Sequence, residues 1–188
     1  VKALLKVIFA FLNSIMGKKE ENGVIPLIPV MDKKIAWKKS PNYTRKGNAR
    51  SITAIILHHT GSFNASGELK WMCDVESEVS AHYLIDLSGN ITQMVNDKDV
   101  AWHAGRSKLD GKKYVNNFSL GIELTGDTAK KPLTKDQYKS LLWLVRKLMD
   151  KYSISAHRVV DHRKVAIGRK VDLDPKNFNW NDFYNEIG

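Results

Sequence analysis

Cysteine is almost missing from this chain: Cys73 stands alone among 188 residues. That excludes an internal disulfide framework and leaves the compartment open, since secreted proteins can also do without disulfides. Also missing are zinc-finger spacing, an aromatic RNP strand, a Gly-Lys-Ser/Thr phosphate loop and a His-Glu-x-x-His helix. The compact signatures of nucleic-acid, nucleotide and zincin chemistry are therefore not available to explain it. Acidic residues are in short supply, 20 against 30 Lys and Arg, for a net charge of +10. A surface so biased attracts polyanions: nucleic acid, anionic lipid or the anionic polymers of cell envelopes. Without a nucleic-acid motif, specific nucleic-acid binding is not expected. There is no internal repeat and no low-complexity tract. At 43% hydrophobic and 27% charged, the composition is that of a globular protein, and the length suits one compact domain with an added segment.

Three regions follow from the pattern. In 1–19, Leu4, Leu5, Ile8, Phe11, Leu12, Ile15 and Met16 recur at helical spacing, with Lys2, Lys18 and Lys19 flanking them. This apolar run is too short for a standard membrane span, and Lys6 breaks it. A basic start before an apolar core has the outline of a signal peptide, yet no small-x-small cleavage site follows and Asn13 and Ser14 interrupt the core. Beside a signal-like segment, the readings are a helix packed on the domain, a frayed terminus, and a helix that lies on or anchors to an anionic membrane. Residues 20–50 are polar and basic, contain Pro26, Pro29 and Pro41, and read as a linker or wrapping arm. A domain is expected over 51–188. Its first strand is the apolar run Ile52–Leu57, and a short helix is expected around Gly67–Val75. The segments His82–Asp86 and Ile91–Val95 form a hairpin turning at Gly89-Asn90. Leu120–Leu124 is another strand, and Lys135–Tyr152 a helix capped by Thr134 with Gln137 three residues on. Strands mixed with amphipathic helices imply an α/β architecture, a central mixed sheet flanked by helices.

The chemistry-bearing residues cluster at strand ends. His58 and His59 close the first apolar run, where an α/β sheet presents its functional side chains. His162 ends Val159-Val160-Asp161, and Asp172 follows ten residues later. Two imidazoles and a carboxylate suit Zn²⁺, and three protein ligands leave a position open for catalysis. Glu123 interrupts the otherwise apolar strand Leu120–Leu124. It lies either on the wet face of an edge strand or beside a metal as a general base. Lys170 precedes Asp172 by two residues and is either a solvated lysine or an oxyanion partner.

In order, these pieces resemble the N-acetylmuramoyl-L-alanine amidases of the type-2 amidase family, whose fold is that of T7-type lysozyme and the peptidoglycan recognition proteins. The matching blocks are Ile56-Leu57-His58-His59-Thr60, Val79–Ile85, Ala101-Trp102-His103-Ala104-Gly105, Ser119–Leu124, and His162 with Val165–Asp172, closed by Phe178-Asn179-Trp180. The resemblance implies one zinc per chain on His58, His162 and Asp172, with Glu123 and Lys170 catalytic. It also implies that His59, Trp102 and His103 contact substrate in the cleft. The family reads Lys-x-Asp-Pro-Gly where this chain reads Lys170-Val171-Asp172-Leu173-Asp174-Pro175. Asp172 keeps the spacing from the lysine, and Asp174, which keeps the spacing to the proline, is the alternative ligand. The implied reaction is hydrolysis of the amide between N-acetylmuramic acid and L-alanine in peptidoglycan. The alternative is a non-catalytic peptidoglycan-binding module, which is expected to lack zinc ligands that this chain keeps. The implied partners are peptidoglycan or muropeptide, with contact to anionic membrane or wall polymer through the basic N-terminal region. A monomer is expected. The implied setting is the cell envelope, secretion or phage lysis, with cytoplasmic recycling left open.

Overall fold

The computed structural model describes residues 33–188, so the apolar stripe of 1–19 lies outside the described residues. The sheet is built around two six-residue strands, β3 (Ala54–His59) and β9 (Ser119–Leu124), which pair in parallel with His58 opposite Glu123. Four short strands extend it: β1 (Ile35–Trp37), β4 (Tyr83–Ile85), β5 (Ile91–Gln93) and β10 (Val159–Asp161). The order across the sheet is β1-β5-β4-β9-β3-β10. Among the described strands of this sheet only the β4–β5 pair is antiparallel, and it is the expected hairpin. Its turn closes where Asp86 accepts from the Gly89 amide, with Gly89 at a φ of +78° that disfavours a side chain.

Strand alternation divides the two faces. On β3, Ile55 and Leu57 join Leu120, Ile122 and Leu124 of β9 in the main core. Over them lies α2 (Lys135–Tyr152), whose Leu141, Leu144, Val145 and Leu148 are buried. Thr134 caps this helix by accepting from the Gln137 amide, as its sequence predicts. The opposite face carries Ala54, Ile56 and His58 on β3 and Ser119, Gly121 and Glu123 on β9. A second cluster with Val115, Phe118, Val160 and Val165 packs there. The helix α1 (Ala65–Met72), capped by Asn64, ends three residues earlier than the pattern predicts, since Cys73 and Asp74 already turn the chain away.

Residues 33–50, placed ahead of the domain by the sequence, are bound into it. β1 pairs in parallel with β5, and β2 (Tyr43–Thr44) pairs with β6 (Val100–Ala101). Buried Asn42 donates to the carbonyls of Asp74 and Val79 and to the Ser77 hydroxyl. The folded unit therefore reaches back at least to Ile35. A small ribbon of β7 (Lys108–Leu109) and β8 (Lys112–Lys113), a four-residue helix α3 (His162–Val165) and a terminal helix α4 (Trp180–Ile187) complete it. Among the described residues, no helix is long and apolar enough to cross a membrane.

Candidate metal centre and cleft

His58 leaves the sheet near the end of β3, and His162 starts α3 directly after β10. Because β3 and β10 are neighbours in parallel, the two imidazoles arrive side by side. Asp161 caps α3 by accepting from the Lys164 amide, which holds His162 at the helix start. The loop after α3 returns so that the Arg163 amide donates to the Asp172 carbonyl, placing the Asp172 side chain against both rings. The three residues are 1%, 4% and 6% exposed.

Three ligand atoms converge there. His58 Nδ1 lies 2.9 Å from His162 Nδ1 and 3.4 Å from Asp172 Oδ2, and His162 Nδ1 lies 3.2 Å from the same oxygen. A tetrahedral ion with bonds of about 2.0–2.1 Å holds adjacent ligand atoms about 3.3 Å apart, so this triangle is of the right size. The chemistry fits as well. His162 Nε2 faces the Ala104 carbonyl at 3.3 Å, which can only accept, so an Nε2–H has its acceptor there and Nδ1 is left to face the triad. Burial lowers the His58 pKa to about 4, with the neighbouring Asp172 partly offsetting it, so this ring is neutral at pH 7. Burial alone would raise the Asp172 carboxyl, but the two imidazoles packed against it outweigh this and hold the group well below the carboxylate range. Two lone pairs and a carboxylate facing one another make a site that a cation would balance. Among the described residues this is the one His/Cys/Asp/Glu cluster with metal-ligand spacing.

The neighbouring positions sort by strand alternation. His59, one residue on, turns away from the triad at the margin of the cleft, where its Nδ1 meets the Thr128 amide and hydroxyl at 3.0 and 2.8 Å. Asp174 also turns away: its carboxylate accepts from the Lys176 amide and its own amide donates to Thr128. Glu123 sits beside His58 on the same face. It is pushed up to about 8 by burial, then by the charges of Asp172 and Glu68. Its Oε2 is shut from solvent and has no hydrogen-bond partner among the described residues. The wet-edge alternative for this residue is therefore corrected: β9 lies between β4 and β3 in the sheet interior.

His162, Asp172 and Glu123 line a cleft of about 500 Å³, together with His59, Glu68, Trp71, Trp102, His103 and Lys170. Trp71 and Trp102 are exposed on its rim. His103, expected to touch substrate, is 8% exposed, and both its ring nitrogens face protein atoms, His58 Nε2 and Ser119 Oγ. Sequence reasoning missed Glu68, whose carboxylate accepts from the hydroxyls of Thr60 and Thr125 at 2.8 and 2.6 Å. It also missed Trp71, on α1, and Ser119, whose only signal was a hydroxyl at the start of a buried strand.

A family model described as "Amidase_2: N-acetylmuramoyl-L-alanine amidase" matches residues 48–176. The 1,6-anhydro-N-acetylmuramyl-L-alanine amidases AmpD of Escherichia coli (strain K12) and Haemophilus influenzae are 42% and 32% identical to the chain. These alignments cover 77% and 79% of it and 87% and 90% of the relatives. Among solved structures, an AmpD derivative superposes with a TM-score of 0.73 at 28% identity, covering 82% of this chain and 94% of that one. The E. coli amidase AmiD, in complex with anhydro-N-acetylmuramic acid-L-Ala-D-gamma-Glu-L-Lys, gives a TM-score of 0.63 at 29% identity over 72% of this chain and 57% of that one.

Proposed function

The chain belongs to the N-acetylmuramoyl-L-alanine amidase family, hydrolysing the amide between N-acetylmuramic acid and L-alanine, and we propose that it works with one zinc ion held by His58, His162 and Asp172. The observation that carries this reading is the convergence of two bare Nδ1 atoms and a carboxylate at 2.9–3.4 Å, next to an acid with a raised pKa. When bound, zinc supplies Lewis acidity toward the scissile carbonyl and water. Glu123, beside His58 and poised near neutrality, takes a proton from the attacking water and delivers it to the departing L-alanine nitrogen. Its unpartnered Oε2 is the atom free to receive that proton. Lys170, which lines the cleft, places an ammonium toward the developing oxyanion. Trp71 and Trp102 offer flat apolar faces for the sugar, and His59 borders the same cleft.

The names of the AmpD relatives specify a 1,6-anhydro sugar. We assign this chain the same class of substrate, a soluble anhydromuropeptide. The test measures zinc by metal analysis and hydrolysis of a purified anhydromuropeptide, with and without chelator, alongside intact sacculi. The expected result is one zinc per chain and chelator-sensitive release of peptide, faster on the soluble fragment. Zinc binding should weaken on acidification, because the ligands must be deprotonated. Full activity after complete removal of metal would overturn the zinc assignment, and exclusive action on sacculi would overturn the substrate assignment.

A further inference from the structure

The two imidazoles of the triad are oriented by consecutive residues of one loop, in different ways. His162 Nε2 is anchored on a backbone carbonyl, that of Ala104. His58 Nε2 is anchored on a side chain, 3.0 Å from His103 Nδ1. Behind His103 the contacts continue: its Nε2 lies 3.3 Å from Ser119 Oγ, and the Ser119 hydroxyl donates to the Val115 carbonyl at 2.7 Å.

The proton positions along this row follow from its far end. The Val115 carbonyl can only accept, so it takes the Ser119 hydroxyl proton. Ser119 Oγ then accepts, and His103 Nε2 carries a hydrogen directed at it. Among the described residues no carboxylate contacts His103, and a buried imidazolium without a counter-charge is costly, so the ring is neutral and its Nδ1 bare. That Nδ1 accepts from His58 Nε2–H, which leaves His58 Nδ1 without a proton, facing His162 and Asp172. The sequence makes room for the row through Gly121 on β9: a Cβ there would lie 2.4 Å from His103 Cγ. The His103 ring occupies the space above that glycine, between His58 at 5.1 Å and His82 at 5.8 Å, centroid to centroid.

We propose that His103, supported by Ser119, is a positioning residue that fixes His58 as the Nε2–H tautomer and aims its free Nδ1 at the metal position. The proposal rests on the reading of His58 as a metal ligand. The partner that orients a ligand histidine commonly governs metal affinity by about 10–100-fold.

Zinc affinity is measured by competition with a chromophoric chelator for the wild type, His103→Phe, His103→Asn and Ser119→Ala. Ring tautomers are read by long-range ¹H–¹⁵N correlation on the metal-free wild type. His103→Phe fills the volume without an acceptor and is expected to lose about 10–100-fold in zinc affinity, with the melting temperature of the metal-free protein retained. His103→Asn offers a carbonyl to His58 and an N–H to Ser119 and should recover most of the loss. Ser119→Ala should fall between wild type and His103→Phe. Wild-type affinity in His103→Phe, or a His58 found as the Nδ1–H tautomer, would overturn the proposal. If His103→Phe fails to fold, unchanged affinity in Ser119→Ala overturns it equally. A wild type that binds no zinc, or a His58→Ala variant that keeps it, refutes the metal reading instead, and the tautomer is measured without metal in either case.

Discussion

Replacing Glu123 by Gln separates what burial does to this carboxyl from what the carboxyl does for the reaction. In the folded protein it titrates near 8, chiefly because burial penalises the charged form, against 4.5 in the unfolded chain. Between these values the folded state retains a proton that the unfolded state has released. Stability is therefore full below about pH 4.5 and declines as pH rises towards about 8. The displacement corresponds to at most about 5 kcal/mol, a large share of the roughly 5–15 kcal/mol that stabilises a typical domain. Glu123→Gln has no such proton to lose. Urea unfolding of the chelated wild type and variant, from about pH 5 to about pH 9, isolates the effect, because the other titrating groups cancel in the difference. The variant should gain on the wild type steadily with pH and level off above about 8. With zinc restored, the same variant should lose about 10²–10⁴-fold in turnover for want of a proton carrier. Parallel stability curves would refute the burial argument, and near-normal turnover would refute the catalytic one.

Four further outcomes follow from the geometry. Zinc analysis of His58→Ala and His59→Ala should show loss of metal in the first and retention in the second, since His59 is turned towards Thr128. The pair Asp172→Ala and Asp174→Ala should divide the same way, with metal lost only when Asp172 goes. Gly121→Ala should lower zinc affinity, measured by chelator competition, because its new methyl displaces the His103 ring. Leu144→Ala, in the fully buried core of α2, should cost about 2–5 kcal/mol in chemical denaturation while leaving metal content at one per chain.

Local pattern was enough to determine much of this protein. The helix Lys135–Tyr152 with its Thr134 cap, the hairpin turning at Gly89 and the two long strands of the sheet are each written in a period, a cap or a turn residue. The blocks around His58, Glu123, His162 and Asp172 sufficed to suggest the family. Tertiary structure decided the rest, because the deciding contacts join residues far apart in the chain. Parity along β3, set by its register with β9, turns His58 inward and His59 away. The loop from α3 carries Asp172 to the imidazoles and leaves Asp174 capping the next turn. The edge strand at Ile35–Trp37 is too short to show a period and is defined only by its partner β5. Glu68 and Ser119 acquire their meaning from hydroxyls, rings and carbonyls brought to them by other elements. The place of His103 beside His58 has the same cause: a Gly at 121, eighteen positions away, leaves space for its ring.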